Sequence, residues 1–534
     1  MFTVRNFSVV LFFLWIWSLD AKAQLITDNE FHFQFKGEHE LYFHFPLANS
    51  SDFQYPLTSP RSLNRFGVNL SQKNIRLVSE WDLRFFLPES GNQEDAVLLI
   101  PKENYIRYST RKMNWTFGLQ KYSWGMADHI NPTNNLNPLD YTITGFEPEE
   151  IPVFSSSVEY FPSDSWKMQA VYIPFEQSDN IFWSYPEAIP DALFAKYVIS
   201  DFDFNAQIPA ITTIAQEKQI SEIQPDYDLR SGVFGGRLNF YSSKVDFSLS
   251  YVYDFDPYYT PLIAIEKHFP GITGSLEDKI NQTLNAEEAS QVISYLSGIS
   301  SYRISQIDLL RKRIHRFGGN AKTIIGRFGL WLEACYSITE QEKSDDYKNR
   351  GNDLFFVLGT DFFFGPNERF YGNIQYTGKW IPDYYYSFYS DYPNGIPQAG
   401  FQDQEEYMQQ YYYRALVQPL GFQSETYLHG VTINFDFSFF NGKLKPSLVG
   451  YLLTPEGYDK AEKTRQGSLL LMPSVDYSPG NALHFTLGSY LSWSAFKESG
   501  SDQTKYNDSS SILGLLNPYN NLYVKISYSW NRNK

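Results

Sequence analysis

The chain has 534 residues, with 60 acidic side chains against 44 Lys and Arg and a formal net charge of −16, which argues against nucleic acid as a partner. Its one cysteine, Cys335, excludes an intrachain disulfide framework. Length alone suggests about three domains at roughly 150 residues each, but no linker divides the sequence, and 44 Phe and 40 Tyr are more rings than helical cores use.

The N-terminus runs from Arg5 through an apolar stretch, 7–19, to Ala21-Lys22-Ala23. These are the charged, apolar and small-residue zones of a secretory signal peptide cleaved after Ala23. The apolar run falls short of the roughly 20 residues that a spanning helix needs, so it reads as an export signal rather than an anchor, and no later run reaches that length. A mature chain of 24–534 therefore enters a membrane only as a closed barrel, whose strands satisfy their backbone groups between themselves.

Residues 244–255 show the governing pattern. Val245, Phe247, Leu249, Tyr251, Tyr253 and Phe255 share one face, while Lys244, Asp246, Ser248, Ser250 and Asp254 share the other. A soluble sandwich would cover the apolar face with a second sheet, whereas a transmembrane barrel turns it to lipid and keeps polar groups inside. In chain order the same alternation predicts strands near 31–45, 65–73, 75–87, 103–110, 113–122, 153–161, 166–175, 231–241 and 244–255. It continues through 304–317, 323–336, 354–364, 369–380, 427–440, 443–453, 467–477, 482–493 and 521–530, giving about eighteen strands of the length a tilted span requires.

Tight links fall at Asn74, Arg111-Lys112, 162–165, Ser242-Ser243, 318–321, 365–368, Asn441-Gly442 and 478–481, several with turn-forming residues. Long loops separate the pairs. This asymmetry predicts an all-β transmembrane antiparallel barrel with short periplasmic turns, long extracellular loops and both ends in the periplasm. Aromatic girdles at the two membrane interfaces account for the Phe and Tyr content.

Parity also assigns a candidate lumen-facing set of charges. Arg76, Glu80, Asp82 and Arg84 come from the third strand and Arg237 and Asp246 from the pair at 231–255. Arg327, Glu333, Arg369, Lys379, Asp436 and Lys525 follow in the second half. Each would cost a few kcal/mol facing lipid at the midplane, so their shared parity argues for a wet interior. They either select solutes as rings of charge or pair with one another and stiffen the wall. Cys335 shares the parity of Glu333 and reads as a small inward filler.

Gly118-Leu119-Gln120, then Trp124-Gly125, then Asn137-Pro138-Leu139-Asp140 resemble a large bacterial outer-membrane barrel family of unknown function, whose members carry a Gly-x-Gln strand end, a Trp-Gly pair and an Asn-Pro-x-Asp loop. The resemblance covers one strand and the loop after it. Some members are associated with RND-type exporters of hydrophobic compounds, which implies passage of a solute or lipid-like molecule and an inner-membrane exporter as a partner. Physically, Pro138 fixes the loop and Asn137 and Asp140 bond nearby backbone, so the motif reads as a folded turn above the pore mouth.

Further along, 174–229 is long enough to fold into the barrel as a constriction or plug. Residues 275–296 read as an amphipathic helix, with Leu276, Ile280, Leu284, Val292 and Leu296 near helical spacing. The Tyr-rich stretches 383–392 and 407–413 suit interfacial anchoring, or contact with sugars and amphipathic solutes. The last strand ends on Trp530 but is followed by 531–534, a departure from the terminal aromatic that the barrel assembly machinery reads.

The eight histidines are scattered, and no zinc-protease, nucleophile-elbow or phosphate-loop motif occurs. His32 and His44 fall on the polar parity of the first strand, where lumen hydrogen bonding is expected. Asp345-Asp346 is a loose calcium candidate at most. The expectation is a cofactor-free, non-enzymatic channel or transporter in the lipid of the outer membrane, passing an unidentified small molecule past inward loops. A blocked adhesin or structural barrel and a membrane-embedded hydrolase are the alternatives.

Overall fold

Every backbone donor and acceptor of a spanning strand needs a partner on both sides, and this chain meets that demand by closing its sheet on itself. The computed structural model describes residues 31–47, 62–85, 97–140, 148–177, 219–223, 231–256, 260–268, 301–340, 351–382, 427–456, 465–497, 504–506 and 520–533. The signal segment, the expected helix at 275–296, the Tyr-rich stretches and Asp345-Asp346 lie outside them, as does most of 174–229.

Eighteen strands form the barrel. The first nine are β1 (Phe31–Pro46), β2 (Ser62–Gln72), β3 (Ile75–Phe85), β4 (Val97–Ser109), β5 (Met113–Gln120), β6 (Val153–Ser163), β7 (Trp166–Ile173), β8 (Val233–Phe240) and β9 (Val245–Phe255). They are followed by β10 (Arg313–Ile325), β11 (Phe328–Thr339), β12 (Asp353–Phe364), β13 (Phe370–Trp380), β14 (Tyr427–Phe437), β15 (Leu444–Glu456), β16 (Arg465–Tyr477), β17 (Leu483–Lys497) and β18 (Asn521–Asn533). Each pairs antiparallel with its sequence neighbour, and β18 returns to β1 in a register that sets Trp530 opposite Gly37. On the long-loop side, Gln219–Ile223 runs parallel to Ser301–Leu310, which pairs antiparallel with Thr260–His268.

The outer wall is apolar. Phe117, Leu249, Leu332 and Leu358 are each about half exposed at outward positions, between 48% and 58%. On the inner wall Glu333, Gln375 and Ser492 have no exposure at all. This inversion of a water-soluble protein is what a lipid-facing barrel requires. Aromatic clusters such as Trp166 with Phe240 and Phe247, and Phe370 with Phe437, mark the short-turn rim.

One hairpin differs from expectation. The β10–β11 turn lies at Gly326-Arg327, not at 318–321, and the strand expected from Ile304 begins at Arg313. Gly326 takes the left-handed backbone, φ +63°, that the turn needs. Gly318 is mid-strand, and a Cβ there would come within 2.4 Å of the Ser250 hydroxyl and 3.0 Å of Thr133. The glycine pair that looked like a turn is instead a place of close approach.

β4 also starts six residues earlier than expected. Its pairing with β3 is irregular between Ser79 and Trp81; this bulge switches the parity of β4 and hides its first half from a strict alternation test.

Candidate functional site

Of the 32 residues between β5 and β6, the described ones, 121–140 and 148–152, fold back into the lumen. Three groups of contacts hold them there.

At the root, Gln120 donates from Nε2 to the Ser155 carbonyl at 3.0 Å and accepts from the Ser157 hydroxyl at 2.9 Å, tying β5 to β6. Asn137 accepts from the Tyr122 N–H at 2.7 Å and donates to the Ile151 carbonyl at 2.8 Å, bringing the two ends of the loop together. Gly118 has φ +124°, and a Cβ on it would meet the Asn104 carbonyl at 2.3 Å. Gly125 is pressed against the Asn131 side chain. Trp124, 2% exposed, packs with Tyr122, Leu136, Val153, Val171 and Val233 in an apolar core inside the barrel, and its indole N–H donates to Gln169 at 3.0 Å.

Near the long-loop rim a compact ionic cluster holds the returning arm. Arg84 pairs with Asp140 at 3.0 Å, Lys102 with Asp82 at 3.4 Å and with Glu149 at 3.1 Å, and Arg65 with Asp82 at 3.6 Å and with Glu149. Three cations face three carboxylates, so no net charge is left buried. Burial alone would raise the Glu149 carboxyl, but the charges and hydrogen bonds of Arg65 and Lys102 outweigh it and hold the group at about 2.

The loop tip reaches the opposite wall. Glu333 on β11 accepts from the N–H groups of Met126 at 2.7 Å, Ala127 at 3.2 Å and Thr133 at 2.8 Å, and from the Thr133 hydroxyl at 3.0 Å. Gln375 on β13 accepts from the Asp128 N–H at 3.0 Å and donates to its carbonyl, and Asn373 donates to the Asp128 carboxylate. The His129 ring sits edge-on to Tyr451 of β15 at 5.8 Å. Contacts of one loop thus run from β2 to β15, across the width of the barrel.

The other residues of the lumen-facing parity make contacts of their own. Glu80 pairs with Lys36 at 2.5 Å, Lys379 with Asp353 at 3.5 Å and Lys525 with Glu40 at 3.3 Å, and Arg76 donates to Asn69 at 3.1 Å. Asp246 accepts from the Ser242 N–H at the β8–β9 turn, 3.0 Å. Arg237 donates to the Ser123 carbonyl at 3.2 Å. Asp436 lies one residue before the end of β14. Two residues differ from expectation: Arg327 lies in the β10–β11 turn and Arg369 just before β13, both exposed at the short-turn rim rather than on the inner wall. Both were assigned by extending a parity through residues that turn.

Cys335 is buried and faces inward, with Asn135 Nδ2 at 3.7 Å from Sγ. His44 meets Asn521 at 3.4 Å. Ser478, His484 and Asp476 meet near the β16–β17 turn, but the serine at 2.7 Å and the aspartate at 3.2 Å both lie against His484 Nδ1. A nucleophile relay needs them on opposite ring nitrogens, so this cluster is a turn brace. Asn373, Gln375, Thr133 and Asp128 were missed by sequence reading. They are neutral polar or loop residues, and nothing in their local pattern distinguishes a docking partner from an ordinary wet wall.

A closed antiparallel barrel with an apolar outer wall, a polar inner wall and a loop folded into its lumen is a porin-like β-barrel of the outer-membrane type. No family model matches the chain and no curated protein matches it, so the resemblance at Gly118 to Asp140 stays local. Among solved structures the chain is similar to OccAB4 of Acinetobacter baumannii, at 7% identity over 95% of this chain and 99% of that one, TM-score 0.45. It is also similar to OccK3 (OpdO) of Pseudomonas aeruginosa, at 8% over 96% and 98%, TM-score 0.44. A third is Wzi of Escherichia coli, described as an outer membrane protein involved in group 1 capsule assembly and a carbohydrate-binding β-barrel, at 10% over 93% and 84%, TM-score 0.42. The barrel assignment stands on this chain's own strand pairings rather than on likeness at that level.

Proposed function

We propose that the chain is an outer-membrane channel for a small solute, exported by its signal peptide with cleavage near Ala23, whose conduction path is narrowed by loop 121–152. The observation that carries the reading is the span of that loop across the lumen, anchored at β2–β4 and latched to β11 and β13. Lumen charges largely pair between neighbouring strands, so the wall is stiff and the loop sets the aperture. The lipid of the outer membrane and the barrel assembly machinery are the partners this architecture needs, and an inner-membrane exporter is implied by the local resemblance alone.

Planar bilayers test it: purified barrel should give discrete conductance steps, and a variant with 126–134 replaced by a short Gly-Ser link should conduct severalfold more. A second reading, a structural or adhesive barrel with a blocked lumen, draws on the apolar core around Trp124 inside the barrel. Silence from both proteins, with the barrel intact, selects that reading.

A further inference from the structure

We propose that the inner wall beneath loop 121–152 is a binding site for a small oxyanion, the carboxylate or phosphate end of a solute. A cavity of about 180 Å³ lies there, roofed by residues 121–124 and walled by β4 to β8. That is near the roughly 150 Å³ that holds a benzene-sized molecule.

Its charges do not balance. Glu159 is taken by Lys167 at 2.5 Å and by Asn114 at 3.0 Å. Arg107, Lys121 and Arg237 also line the cavity, against one further carboxylate, Glu103. Arg107 donates to the Thr116 hydroxyl at 3.1 Å, and Arg237 to the Ser123 carbonyl at 3.2 Å and the Ser248 hydroxyl at 3.3 Å. Both guanidiniums are therefore positioned by neutral acceptors, and among the described residues neither has a carboxylate within ion-pair distance. Arg237 Nε is buried and meets no acceptor among those residues. A fold that orients two guanidiniums and leaves a buried donor unmet presents a ready fork for an oxyanion. The site deepens the channel reading, and rests on it for its role, by placing a solute anion on the short-turn side of the constriction.

Calorimetric titration of the full-length barrel in detergent at low ionic strength tests the site, with butyrate, inorganic phosphate and, as a cation of similar size, butylammonium. At least one anion should titrate saturably and butylammonium should not; the tighter anion tells carboxylate from phosphate. Arg237→Gln should weaken the anion about tenfold or more, and Lys121→Gln, an exposed position, severalfold. Should Arg237→Gln lose its SDS-resistant migration, Arg107→Gln and Lys121→Gln decide. Absence of saturable anion heat, equal binding of butylammonium, or affinity unchanged in the variants overturns the site. Bilayer recording separates the two readings: a barrel that conducts without binding anions keeps the channel and loses the site, while one that binds anions in silence does the reverse.

Discussion

Glu333 sits at the middle of β11 with no exposure, and its carboxylate satisfies three backbone N–H groups and one hydroxyl of the loop. Removing the acceptor leaves those donors buried at about 1–3 kcal/mol each, more than the tip can bear, so the tip should leave the wall for water. Glu333→Ala is expected to raise single-channel conductance and open the loop to proteinase K while the barrel keeps its SDS resistance; unchanged conductance and cleavage would show that other contacts hold the tip. Glu149 gives the pH dependence of the other anchor. Its folded pKa of about 2 lies below the roughly 4.3 of a free glutamate, so its stabilisation is fully present above the unfolded value and is lost as pH falls through the folded one. Conductance set by the loop should therefore hold steady from pH 7 to about 4.5, with loosening beginning below it and completing near pH 2. A transition centred near pH 6 would point to a histidine instead.

At the level of the hairpin, β10–β11 separates two uses of glycine that look alike in the sequence. Gly326→Val forces a branched residue into the left-handed region and should destabilise the hairpin by about 1–3 kcal/mol, seen as a lower temperature of loss of SDS resistance. Gly318→Val should leave the hairpin formed but press on Thr133 and Ser250, so its effect should appear in conductance and loop cleavage. The opposite assignment of the two phenotypes would restore the turn to 318–321. The loop shows the same division of labour: Gln120, Asn137 and Trp124 fold its root locally, and Glu333, Gln375 and Asn373 hold its tip from strands 200 to 247 residues away in sequence.

For the molecule as a whole, closure of β18 on β1 makes stability a property of the complete ring. The barrel should resist SDS and migrate fast until boiled; a polypeptide that stays soluble without detergent and migrates identically before and after boiling would contradict a lipid-facing outer wall. Strand alternation was legible in the sequence because each inner and outer wall position makes its own demand on polarity, residue by residue, and the eighteen spans and all but one of the expected short turns follow from it. Gln120 and Asn137, at the ends of a short segment, were legible as a motif, but it was read as a turn above the pore mouth, whereas residues 122–140 pack against the inner wall. The early start of β4 and the place of the β10–β11 turn were not, because a bulge shifts parity and a close approach selects glycine as strongly as a turn does. The route of loop 121–152 across the lumen was decided only by the tertiary structure: its determinants are contacts between residues far apart in sequence, and no local pattern records which distant wall a loop will meet once the ring has closed.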